Sequence, residues 1–255
     1  MLMKSFDMGT AHVEIYDTRA AMGAKAGRDA AETLRRLLGT KDELNVMFAA
    51  APSQNEVLAQ LLEEKDIDWG RVNAFHMDEY IGIAPDHPAG FARFLERAIF
   101  GSLPFKSVNY IDCTAADPEL EAARYAALLE QHPLDVCILG VGENGHIAFN
   151  DPGVADFDDA VLAKVIDLDE RSRMQQVNDG CFARIEEVPK KAITVTIPGL
   201  TGAKYLYCSV PCATKAQAIG RMFTGEIALD CPATVLRRTP NSFVYLDKDS
   251  AAMLL

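Results

Sequence analysis

The chain has 255 residues, 49% of them apolar and 24% charged, the balance of a soluble globular protein with room for one large domain. Its formal net charge of −12 is spread among interspersed residues of both signs, a surface that repels nucleic acid. It does not exclude a phosphorylated small molecule, which needs only a local pocket of backbone N–H groups and a cation or two. No apolar run is long enough for a bilayer, and residues 1–17 lack the basic flank and apolar core of a signal peptide, so a cytoplasmic, membrane-free protein is expected. The six cysteines (Cys113, Cys137, Cys181, Cys208, Cys212 and Cys231) form no CxxC pair and read as free thiols of a reducing compartment, with no metal site.

From the N-terminus, strands and helices alternate. Residues 13–16 read as a short strand, and Asp17 and Thr18 can cap a helix whose Ala20, Ala21, Ala24, Gly27, Ala31, Leu34, Leu37 and Leu38 recur at helical spacing. A buried strand over 44–51 precedes a helix carrying Val57, Leu58, Leu61 and Leu62, which Ser53 or Asn55 can cap. A strand over 72–77 ends at Asp78, and a helix over 91–100 follows a Pro-containing loop. Further strands are expected over 108–111, 134–139, 192–197, 205–210 and 243–246, with helices over 120–129 and 213–222. This order predicts an α/β fold of three layers: a mostly parallel, open, Rossmann-like sheet with helices on both faces. No repeat, low-complexity tract or linker divides the chain, so residues 1–255 are expected to form one domain.

In such a sheet, ligands bind beyond the carboxyl ends of the strands. Three of these ends carry unusual polar residues. Ala51-Pro52-Ser53-Gln54-Asn55 can present N–H groups and a hydroxyl to an anion, although helix capping alone would explain Ser53 and Asn55. At Asp78-Glu79, two carboxylates end an apolar strand; one of them can remove a proton from carbon beside a carbonyl if burial raises its pKa, though capping of the next turn is the competing reading. Residues 140–153 form a Gly-rich loop containing His146, with Asp151 five residues on to orient the imidazole. A weaker fourth signal is Lys215 at the junction after 205–210, where it can neutralise a phosphate or lie solvated in the first helical turn.

With these residues in view, the sequence resembles the glucosamine-6-phosphate deaminase family. The resemblance is carried by Met-Asp-Glu-Tyr (77–80), Gly-Val-Gly-Glu-Asn-Gly-His-Ile-Ala-Phe-Asn-Asp-Pro (140–152) and Val-Pro-Lys-Lys-Ala-Ile-Thr-Val (188–195) before Lys215, and it runs from about residue 44 to residue 240. The related 6-phosphogluconolactonases share a Gly-His loop but typically read Gly-Asp-Glu-Arg at the first motif. The resemblance implies that Asp78 shuttles a proton between C2 and C1 of the open-chain sugar, while His146, oriented by Asp151, opens the ring. Ser53, Gln54, Asn55 and Lys215 would hold the 6-phosphate, and Asn144, Glu79, Gly142 and Gly145 would complete the site. The products would be a ketose 6-phosphate and ammonia, with no cofactor; homo-oligomers are common among such relatives.

This chain departs from the family pattern at several points. Gln54-Asn55 stands where Gly-Gly is usual, Asn144 where many members have Asp, and Asp151 where Glu is usual. The family's Asn-x-Arg-Phe-Phe segment is replaced by residues 173–182, where Arg173 is the candidate substitute for the missing arginine. Three competing functions are an isomerase acting on another sugar phosphate, a lactonase that would not need Asp78 as a C–H base, and a non-catalytic sugar-phosphate sensor. The sensor reading predicts a basic DNA-binding extension and lost carboxylates, and the sequence shows neither.

Overall fold

A computed structural model of residues 1–255 resolves the alternation into eleven strands and seven α-helices. The first part holds β1 (Leu2–Met8), β2 (Ala11–Tyr16), α1 (Arg19–Leu38), β3 (Leu44–Phe48), α2 (Asn55–Glu63), β4 (Val72–His76), β5 (Asp78–Tyr80) and α3 (Phe91–Leu95). Next come β6 (Ser107–Asn109), α4 (Pro118–Gln131), β7 (Val136–Leu139), β8 (Ala163–Asp167) and α5 (Glu170–Asn178). The chain ends with β9 (Lys191–Val195), α6 (Ile197–Thr201), β10 (Tyr205–Val210), α7 (Ala216–Thr224) and β11 (Ser242–Asp247).

Eight strands form the main sheet in the order β1-β2-β11-β10-β7-β3-β4-β6, all neighbours being parallel except β1 with β2. The expected mostly parallel α/β sheet is therefore present. Its central strands are buried and mainly apolar because both faces are covered, with Asn45, Asn73 and Ser209 as buried polar exceptions. Along them, side chains alternate between two cores: Met47, Phe75, Cys137 and Cys208 pack on one face, Val46, Ala74, Ile138 and Tyr207 on the other. The second core includes the buried side of α1, and the first includes residues of α4 and α7.

Helix α1 starts where Thr18 accepts a hydrogen bond from the Ala21 N–H at 3.2 Å. It lies close on α2: a Cβ at Gly23 would stand 2.3 Å from Glu56 Cβ, and one at Gly27 2.6 Å from Gln60 Cβ. That approach carries Arg19, the first residue of α1, to the turn that precedes α2.

Some elements differ from expectation. β3 stops at Phe48, and Pro52 opens a 3₁₀ turn over Pro52–Gln54 before α2. The helix from Phe91 widens to a π turn over Glu96–Phe100. β1 gave no signal because most of its side chains are exposed and it has no buried alternation to read. A second, three-stranded antiparallel sheet, β5-β9-β8, was also unforeseen as a sheet, although β9 was expected as a strand.

Candidate active site

The sheet order sets β10, β7, β3 and β4 side by side, so the four loops singled out in the sequence meet along one edge. Together they line one cavity, to which Asp78, His146, Gly142, Ser53, Gln54 and Lys215 all contribute. Lys215 follows β10 and Asp78 follows β4, three strand spacings apart or about 14 Å. The two residues thus mark opposite sides of the cavity.

The small sheet fixes the Asp78 side of the cavity. Asp78 pairs with Thr194 of β9, and the Val195 N–H bonds the Met77 carbonyl at 2.8 Å. Thr194 Oγ1 also accepts from the Phe149 N–H at 3.0 Å, and Asn150 Nδ2 donates to the carbonyls of Ile147 and Val195. One strand therefore holds both Asp78 and the histidine loop. Asp78 is buried, and burial, reinforced by neighbouring Glu79, pushes its pKa well above the ordinary carboxylate range. Behind it, fully buried His76 accepts the Ile111 N–H on Nε2 at 2.9 Å; burial lowers its pKa to about 3, so it stays neutral.

His146 is fixed from behind. Its Nδ1 lies 2.8 Å from Asp151 Oδ1, and Asn144 donates to the same oxygen at 2.8 Å while accepting the His146 N–H at 3.1 Å. Ser172 Oγ donates to Asp151 Oδ1 and lies 3.0 Å from His146 Nδ1. Since the single Ser172 hydroxyl hydrogen goes to Asp151, the serine can only accept from Nδ1–H, which leaves Nε2 free as a proton acceptor. Burial alone would raise the Asp151 pKa, but contacts with His146, Asn144 and Ser172 outweigh it and hold the carboxyl low. Gly142 lies against the ring: a Cβ there would stand 2.2 Å from His146 Nε2. Any larger residue would displace the imidazole.

The other side of the cavity carries a buried cation. Lys215 is 5% exposed and its Nζ has no hydrogen-bond partner; burial pulls its pKa below that of an ordinary lysine, against the opposing charges of Asp179, Glu143 and Cys212. Gln54 is fully buried, its Nε2 donating to Ser53 Oγ and the Ser209 carbonyl while Oε1 is unpartnered. Arg19 closes the wall, bonding Glu56 through Nε at 2.8 Å and the Pro52 carbonyl through Nη2.

Four expected contacts are corrected by this geometry. Glu79 turns away from the cavity and accepts the N–H groups of Tyr80, Phe91 and Ala92, because neighbours on a strand point to opposite faces. Asn55 is exposed on the first turn of α2 and does not line the cavity. Arg173 is spent on the carbonyls of Ile185 and Val188, at 2.6 and 3.0 Å. Gly145 sits against Cys231, outside the cavity. Asn144 and Asp151 also lie outside the lining but act on it through His146. Conversely, Arg19, Gln175, Gln176, Asp179, Cys212 and Thr214 line the cavity without having been expected there.

A family model described as glucosamine-6-phosphate isomerases/6-phosphogluconolactonase matches residues 17–245. The chain belongs to this family. A glucosamine-6-phosphate deaminase of Listeria innocua is 34% identical over 215 residues, covering 84% of this chain and 90% of the relative. That of Exiguobacterium sibiricum is 39% identical over 188 residues, 74% of this chain and 73% of the relative. Among solved structures, one described as a monomeric glucosamine-6-phosphate deaminase superposes with a TM-score of 0.86 at 26% identity, covering 94% of this chain and 99% of that one. A 6-phosphogluconolactonase from Trypanosoma brucei shares the fold, with a TM-score of 0.75 at 20% identity over 99% of this chain and 100% of that one. No helix of the family member described here is long and apolar enough to cross a membrane, and no three His, Cys, Asp or Glu side chains are grouped to hold a metal ion.

Proposed function

We propose that this protein is a cytoplasmic enzyme that isomerises and deaminates glucosamine 6-phosphate to a ketose 6-phosphate and ammonia. The observation that carries the reading is a single cavity with a buried carboxylate, Asp78, on one side and a buried, unpartnered ammonium, Lys215, on the other. Lys215, with the hydroxyl of Ser53, holds the phosphate, while His146 moves a proton at the ring oxygen through Nε2. Asp78, made more basic by burial, takes the proton from C2 of the open chain and returns it at C1. The amine-bearing carbon becomes an imine, and water replaces its nitrogen, releasing ammonia. Asn144, Asp151 and Ser172 keep the His146 tautomer in place.

The test is ammonia release from glucosamine 6-phosphate, with galactosamine 6-phosphate in parallel. One ammonia per ketose phosphate from the glucosamine compound is the expected result. No ammonia from either sugar would overturn the deaminase reading.

A further inference from the structure

Cys212 occupies an unusual place. It lies half-buried at the end of β10 and lines the same cavity as Lys215. Its backbone N–H is held by the carboxylate of Asp247, at 3.2 and 3.0 Å to the two oxygens, in a conformation with φ +82°. The side chain is thereby anchored in the cavity wall. There its Sγ receives Arg19 Nη1 at 3.5 Å, and three residues on stands Lys215, which lines the same cavity and whose buried ammonium has no hydrogen-bond partner.

The other five cysteines lie outside the cavity. Cys137 and Cys208 are sealed in central strands, where burial pushes their thiols up, Cys208 to about 12. Burial likewise raises Cys113, Cys181 and Cys231. A thiol that reacts must be reachable and near positive charge, and Cys212 is the one placed beside both cations of the cavity wall.

We propose that Cys212 is a modification site, oxidised by a hydroperoxide to a sulfenic acid whose added oxygen occupies the anion pocket and displaces phosphate. This rests on the reading of the Lys215 side as a phosphate site. With hydrogen peroxide, the sulfur attacks one peroxide oxygen and the O–O bond breaks. Sulfur loses two electrons to the peroxide, and the second oxygen leaves as water with the thiol proton. An external thiol reverses the change through a mixed disulfide.

The experiment treats the full chain with hydrogen peroxide, traps sulfenic acid with dimedone and maps it by peptide mass spectrometry, with and without inorganic phosphate. Calorimetry measures phosphate binding before treatment, after it, and after dithiothreitol. The expected outcome is an adduct on Cys212 first, slowed by phosphate, with a phosphate Kd raised about tenfold or more and restored by dithiothreitol. Cys212→Ser should keep its own phosphate affinity through the same treatment. Labelling of Cys113 or Cys181 with Cys212 untouched, or a Cys212 adduct that leaves the phosphate Kd unchanged, would overturn the proposal. None of these readouts needs turnover, so a failure to release ammonia would count against the deaminase reading alone.

Discussion

The two sides of the cavity are finished to different degrees. Around His146, Asn144, Ser172 and the imidazole converge on one oxygen of Asp151 and the β9 strand ties this loop to Asp78, while the other oxygen of Asp151 is buried without a partner. Around Lys215, buried polar atoms stand without partners, namely Lys215 Nζ, Gln54 Oε1 and Ser209 Oγ. Such atoms are costly to bury unpaired. On the proposed function, the difference means that the contacts orienting His146 are set before substrate arrives, whereas the Lys215 ammonium gains its partner only from the ligand.

The sharpest way to break this comparison is at Asp78. Asp78→Asn should lower kcat by about 10³-fold, within the range for loss of a general base, while inorganic phosphate binds as before. The same change should stabilise the fold at neutral pH. The raised Asp78 pKa means that the native state holds a proton the unfolded chain releases, so wild-type stability falls as pH rises from the ordinary aspartate value through the raised one. Activity runs the opposite way, increasing with pH over that window as the base ionises. Denaturant melts and kcat/KM measured across pH check both slopes; parallel slopes would refute the assignment.

Lys215→Met probes the other side. Losing a charged contact to phosphate should raise KM about 10- to 100-fold with a smaller effect on kcat, and thermal melting without ligand should rise because an unpaired buried charge is gone. In the wild type, phosphate affinity should drop as pH rises through the lowered Lys215 pKa, before an ordinary lysine would titrate. Calorimetry at several pH values reads this directly.

Much of this arrangement was legible in the sequence because parallel strands buried on both faces are mainly apolar and the loops beyond their carboxyl ends carry clustered polar residues. Tyr205–Val210 and the strand ending at Asp78 stood out for that reason. What stayed hidden has physical causes. Helix α5 buries Ser172, Gln175 and Gln176, a polar face turned to the cavity and the histidine, so no hydrophobic period marks it. β5 is three residues long and pairs with a strand more than a hundred positions away. Arg19 reaches the site only through the packing of α1 on α2. Glu79 misled by adjacency, since a strand sends neighbouring side chains apart.

Ser172 offers a finer test of how firmly the His146 side is set. Ser172→Ala leaves the Asp151–His146 pair but removes a hydroxyl that accepts from Nδ1–H. It should reduce kcat about five- to tenfold, the worth of one neutral hydrogen bond, with KM little changed. ¹⁵N NMR of His146 should show Nδ1–H in the wild type and a mixture of tautomers in the variant, with Ser172→Thr restoring both rate and spectrum. An unaltered tautomer in the alanine variant would reduce Ser172 to packing.

The smallest effect is expected at Glu79, which the sequence placed on substrate and the structure places on backbone. Glu79→Gln keeps one oxygen for the Tyr80 and Phe91 N–H groups but sets an amide against the Ala92 N–H, which should cost about 1 kcal/mol of stability. Phosphate affinity should not move, because the side chain does not reach the cavity. The acid limb of kcat/KM should shift to lower pH, since one of the two influences that raise the Asp78 pKa is removed while burial remains. A limb that stays in place would mean that burial alone tunes the base, and a changed phosphate Kd would return Glu79 to the substrate.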